Sequence, residues 1–507
     1  LPTHTAVNYF IESWRTREAL EEESVSVDLT QTKIDPNEPK YQPLLQDLQG
    51  NILKSHERDY SAHIFVKFKP DADAARKWIS DFAKEFVTSA KKQLDEIVGE
   101  KSEALFANFF LTYRGYDALG FQLEAGGNRE FPSPAFKVGM GQFQQVLKDP
   151  HQREWEDGFQ EEIHALILLA DNNCHRLESA AKQVVESISS AGEIASTEAG
   201  VVLKNRKGQT IEHFGFRDGI SQPLFLKDDI DQVAKEQGTD KWDPTAPLEL
   251  VLVKDPLGEG EHSFGSYCVY RKLEQDVRGF KDAERALARE LGLSGKNAER
   301  AGALAVGRFR DGTPVTLSPA EQNPDPVFNN FNYDQDREGS KCPFHAHIRK
   351  TNPRGDKNDR YQTLEEHRAH RIVRRAISYG EMPDARDNSL SKLSRFHSQL
   401  AHLRDIKVQP AEGEKVGLLF LCFQADIFNQ FMFVQKNWAN NQQFVNYTTG
   451  LDALVGQGKK QNAGQMWPKK WGQNERLQVD FFDFISMKGG EFFFAPSISF
   501  LRNIERG

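Results

Sequence analysis

Two stretches of this 507-residue chain run through the same order of short apolar strands and amphipathic helices. In the first, Ser61–Lys69 (SAHIFVKFK) is dense in β-branched and aromatic residues and predicts a strand, closed by Pro70 and Asp71. Ile79, Phe82, Phe86, Ala90, Leu94 and Ile97 then recur at helical spacing as far as Gly99, which predicts one helix. Ala107–Arg114 and His164–Ala170 read as further strands, and Leu177, Ala181, Val184 and Ile188 as the apolar face of a second helix. Asn205-Arg206-Lys207-Gly208 predicts a hairpin turn within Val201–Phe216. The second stretch opens with a strand at Phe264–Arg271 and a helix facing inward through Phe280, Ala283, Ala286, Leu287 and Leu291. A strand at Gly417–Gln424 and a helix through Phe428, Phe431, Val434 and Trp438 follow. Phe481–Phe494, interrupted by Lys488-Gly489-Gly490, predicts a closing hairpin. This order predicts an α+β fold of two units with mainly antiparallel sheets, not a doubly wound parallel sheet.

The chain is too long for one simple core. The expected division is a polar arm over residues 1–40, an N-terminal unit over 41–225 and a C-terminal unit over 226–507. The arm carries Glu21-Glu22-Glu23 and Asp35-Pro36-Asn37, and residues 295–365 are rich in loop formers. With 38% hydrophobic and 27% charged residues the chain reads as globular. Its apolar runs, such as Leu166–Ala170, fall far short of the roughly 20 residues of a membrane-spanning helix. A net charge of −9 with interspersed signs gives no support to a nucleic-acid partner. Four scattered cysteines without a C-x-x-C pair argue against a disulfide framework. No basic-then-apolar leader pattern is visible, and this together with LQGNIL at 48–53 leans slightly toward an intracellular bacterial setting over a secreted one, with the compartment left open.

Three segments could carry chemistry. In His213-Phe214-Gly215-Phe216-Arg217-Asp218-Gly219-Ile220-Ser221, two glycines bracket an Arg-Asp pair, which suits a sharp turn lying against a flat ligand. Read alone, Asp218 is better explained as a turn residue capping backbone N–H groups. Cys342-Pro343-Phe344-His345-Ala346-His347 has metal-ligand residue types, and a zinc site built on Cys342, His345 and His347 would need a fourth ligand or an open position. The arginines of His370–Gly380 read locally as a solvated face.

Taken in order, Gly215-x-x-Asp218-Gly219, AHIRKTNPR at 346–354 and RIVRRAISYG at 371–380 resemble the dye-decolorizing (DyP-type) haem peroxidases. LQGNIL at 48–53, VGRFRDGTPV at 306–315 and GLLFLCFQADIFNQFMFVQ at 417–435 are similar too. The resemblance spans about residues 45–507. It implies two ferredoxin-like units with the haem pocket largely in the second, one haem b per chain, and peroxide as oxidant. Dyes, phenols or other aromatic one-electron donors are the implied reductants, and self-association is common in the family.

On this resemblance Asp218 matches the distal acid/base and Arg374, six residues before Gly380, the distal arginine, with Arg375 the decoy beside it. His347 matches the axial ligand of the iron, and His345 falls two residues early. Arg354 is expected at a haem propionate, and Gly219 and Ser221 along the cofactor. Asp426 is expected to accept the axial histidine's other N–H. Two other readings are a haem-handling or iron-release protein with weak peroxidase activity, and a non-haem metalloenzyme.

Overall fold

A computed structural model describes residues 27–97, 104–123, 130–360, 362–380, 415–446, 449–458 and 464–506. Eight strands, all paired antiparallel, organise it. They are β1 (Tyr60–Phe68), β2 (Phe106–Leu111), β3 (Ala165–Asp171), β4 (Gly192–Val201), β5 (Phe264–Gln275), β6 (Ile377–Tyr379), β7 (Gly417–Gln424) and β8 (Ile485–Ala495). The first four lie in the order β2-β3-β1-β4, and the second four in the order β8-β5-β7-β6. The two sets meet at two seams of a single residue pair each, Phe494 with Leu111 and Val201 with Ser378. The sheet therefore closes into a ring, and its strands are covered on both faces. That is why β2 and β3 are buried at every position instead of alternating.

The strand expectations hold to within a few residues, and Gly417–Gln424 is met at both ends. The hairpin at Asn205–Gly208 is present, with the Gly208 amide donating to the Asn205 carbonyl. The predicted helix from Ile79 is instead two, α1 (Ala72–Glu85) and α2 (Ala90–Ile97), with Gly99 outside the described residues. Between them the Thr88 amide donates to the Ala107 carbonyl and the Thr88 carbonyl accepts from Gly50, so the backbone there belongs to the sheet edge. The second-half expectation at Phe428–Trp438 is met in position but with π-helical bonding. Lys488-Gly489-Gly490 does not turn the chain. β8 runs straight through it with a register shift, because Gly489 packs on Phe159, where a Cβ would sit 2.2 Å from the ring.

Of the expected arm, residues 1–26 lie outside the described residues, and the rest is docked. Ile34 is buried, and its amide donates to the Phe225 carbonyl while its own carbonyl accepts from Lys227.

Three histidines are sealed in this fold, each with one ring nitrogen lacking a partner: His63, His213 and His345. Burial pushes them down to about 3, 4 and 3 respectively. Their unfolded counterparts protonate near 6.5, so below that pH the unfolded chain binds more protons and the folded state loses stability. Each contributes about 1.4 kcal/mol per pH unit once the pH is well below 6.5. Urea midpoints are expected to fall from pH 7 to pH 5, and to fall less in a His63→Gln variant.

Candidate active site

A cavity of about 690 Å³ opens beside the Val201–Ser378 seam and is lined from both halves of the ring. Its volume is within the roughly 300–1,000 Å³ of cofactor and small-molecule sites. One wall is the loop that follows the hairpin after β4. There the buried Glu212 carboxylate accepts the amides of Phe214 and Phe216 and the Gln275 side chain, fixing a turn at Gly215 with φ of 95°. Burial raises its pKa, and those three donors oppose the rise. The pinned turn presents Asp218, whose Oδ1 accepts the Gly219 amide at 2.7 Å and whose Oδ2 takes no bond from the described residues. Gly219 (φ 75°) and Ser221 (φ 65°) continue along the wall in left-handed conformations.

Arg374 crosses behind this loop. Its Nη2 donates to the Ile220 carbonyl at 2.7 Å, and its amide donates to the Gln222 side chain. Burial lowers its pKa, and the Asp218 carboxylate opposes the drop. Arg375 also touches the cavity but spends its guanidinium on the carbonyls of Asn51, Ile52 and Arg374. The geometry thus sets Arg374, not its neighbour, against the Asp218 loop.

The opposite wall is a short helix, α3 (His347–Thr351), whose Ile348 lines the cavity together with the apolar Leu454 and Val455. His347 faces the cavity. Its Nδ1 bonds to both oxygens of Asp452, at 3.0 and 3.2 Å, and its Nε2 has no bond among the described residues. Asp452 has no exposed surface. Burial raises its carboxyl, but His347 and the amides of Val455 and Leu454 outweigh it, and the net shift is downward. His345 points away, with Nδ1 on the Thr449 carbonyl and its ring edge-on to Trp467. Cys342, His345 and His347 do not converge, and no cluster of three metal-binding side chains occurs among the described residues.

The expectation for Asp426 is corrected. Its carboxylate accepts the amides of Phe428 and Asn429 and the Asn429 side chain, so it caps the π-helical segment and is not a partner of His347. Asp452 fills that role.

At the rim, Arg354 donates to the carbonyls of Asn329 and Phe331, the Asn329 side chain and Ser221 Oγ, and stacks on Phe331 and Trp242. Arg308 shares the Asn329 side chain and otherwise binds carbonyls. Neither has a carboxylate partner among the described residues. Burial pulls Arg354 down to about 10 and Arg308 to about 9. Two desolvated guanidiniums held only by neutral oxygens make a ready site for anionic groups.

The profile of the DyP-type peroxidase C-terminal region matches residues 213–453. The multifunctional dye peroxidase DyP2 of Amycolatopsis sp. is 40% identical over 91% of this chain and 96% of its own length. The chain belongs to the DyP-type peroxidase family. It is accordingly a dye-decolorizing peroxidase, and the family implies a haem cofactor. The crystal structure of a DyP-type peroxidase from Anabaena sp. superposes with a TM-score of 0.83 at 45% identity, covering 95% of this chain and 99% of the other. A further dye-decolorizing peroxidase, 24% identical with a TM-score of 0.68 over 91% of this chain and 99% of its own, was solved in complex with 2,6-dimethoxyphenol.

Sequence reasoning missed Asp452, Arg308 and Glu212. Asp452 had a signal, a lone acid in the apolar run Gly450-Leu451-Asp452-Ala453-Leu454-Val455, which can be buried only if it is paired. Arg349, in the same helix as His347, shows the opposite economy to Arg354. It is fully buried between Asp336 (2.9 Å) and Asp356 (2.6 Å). Arg349→Met is expected to strand both carboxylates and cost about 3–5 kcal/mol of stability, read from denaturant unfolding.

Proposed function

We propose that the cavity would hold one haem b, that His347 would ligate its iron, and that Asp218 and Arg374 would handle peroxide. The observation that carries this reading is the pairing of His347 Nδ1 with buried Asp452, which leaves Nε2 facing a cavity and free to bind a metal. The donor set fits the group in a second respect, since Arg354 and Arg308, without a carboxylate partner among the described residues, would suit a cofactor's propionates. Gly219 and Ser221 would lie along its edge, with Ser221 Oγ already held by Arg354. The shared neighbour pattern of β1–β4 and β5–β8 supports two ferredoxin-like units, with His347, Arg354 and Arg374 all from the second.

When bound, haem supplies the iron and porphyrin that store the oxidising equivalents of peroxide. The protein supplies the proton handling. Asp218 Oδ2 takes a proton from hydrogen peroxide and returns it to the departing oxygen, which leaves as water. Arg374 stabilises negative charge as the O–O bond opens. Asp452 fixes the His347 tautomer and raises the basicity of Nε2. Phenols and dyes are the expected electron donors, as the phenol complex of the distant relative suggests.

The test is spectroscopic. Haem-loaded protein is expected to show a Soret band that is lost in His347→Ala and kept in His345→Asn; the reverse pattern would overturn the ligand assignment. Asp218→Asn is expected to retain haem and to slow the stopped-flow reaction with peroxide by roughly 10²–10⁴-fold. Arg374→Leu should slow the same step far more than Arg375→Leu does.

A further inference from the structure

We propose that His345 and Lys350 are positioning residues, two hooks on either side of His347 that grip one irregular segment and hold Asp452 against the axial ligand. The inference rests on the reading of His347 as that ligand. Both hooks belong to the turn and helix that carry His347, and neither lines the cavity. They reach the other way, toward residues 441–453.

Lys350 is fully buried, and its Nζ donates to three backbone carbonyls: Asn441 at 2.7 Å, Phe444 at 2.8 Å and Gly450 at 2.5 Å. An ammonium has three protons to donate, so its capacity is filled. His345 Nδ1 donates to the Thr449 carbonyl at 3.2 Å, and its own carbonyl accepts the Ala453 amide at 3.3 Å. The residues on both sides of Asp452 are thereby tied to the residues on both sides of His347. The described part of 441–453 contains no helix or strand, so its path is set by a few backbone bonds, such as the Gly450 amide to the Gln442 carbonyl and the Asp452 amide to the Ala439 carbonyl, together with these side-chain bonds.

A lysine kept in a dry site for packing alone would be a poor choice. Burial draws its pKa down to about 7, with the Asp452 carboxylate acting against the drop. Its three acceptors are backbone groups that no other residue on the helix reaches. What the arrangement delivers is the 3.0 Å contact between Asp452 and His347 Nδ1. That contact raises the basicity of the axial imidazole and favours the ferric state.

The test is a double-mutant cycle on haem-loaded protein, reading haem affinity and the iron midpoint potential. Asp452→Asn is expected to weaken haem binding by roughly 10–100-fold and to raise the potential. Lys350→Met should lower affinity by about tenfold, raise the potential in the same direction, and add nothing in the Asp452→Asn background. Additive losses of affinity with an unmoved potential would mark Lys350 as merely structural and overturn the clamp. If Lys350→Met does not fold, the pair His345→Leu and His345→Asn carries the same cycle. The Asn amide can stand in for the Nδ1 donor, so Asn is expected to restore the wild-type potential and Leu to raise it. Leu and Asn behaving alike would overturn the clamp. Failure of the underlying reading looks different: Asp452→Asn would then itself leave potential and affinity unchanged.

Discussion

A carboxylate with no exposed surface, bonded to an imidazole at 3.0 Å, is the constraint around which this site is arranged. Such a group is costly unless every lone pair is met. Asp452 meets the demand with two amides from its own turn and one ring N–H from His347. The consequence runs outward in both directions. The imidazole is locked in one tautomer and turned toward the cavity, while the irregular segment that delivers Asp452 must be tied down by groups from the same short helix.

Two kinds of buried arginine divide the rest of the work. Arg349 is neutralised on both sides by Asp336 and Asp356 and knits the loop-rich segment around the axial helix. Arg308 and Arg354 are also buried, but among the described residues they are met only by neutral oxygens and aromatic faces. The chain carries a net charge of −9, yet this rim is cationic. A positive pocket in an acidic protein is a local choice made by withholding carboxylates, and it selects for an anionic guest.

Much of this was legible in the sequence where a pattern is local. Gly417–Gln424 is apolar on both faces and bounded by clear breaks, and it appears as a strand with those ends. The order of Asp218, His347 and Arg374 pointed to residues that the fold does bring to one cavity. What failed was long-range. A continuous helical period cannot reveal that Thr88 is claimed by Gly50 and Ala107. Nor can the pair of glycines reveal that Gly489 makes room for Phe159 and not for a turn. Asp426 and Asp452 are both short acids beside apolar residues, and only the path of the chain decides that one caps its own segment while the other crosses 105 residues of sequence to reach His347.

The ring is joined at each seam by one residue pair, and the cavity opens beside one of those seams. Its walls come from both sides: Asp218 and Ser221 precede β5, while His347 and Arg354 follow it. Any ligand that fills the space becomes a rivet across one of the two thinnest joints in the sheet. Its binding free energy is then also cohesion between the halves, so the protein with its guest is harder to pull apart than the strand pairing alone would make it.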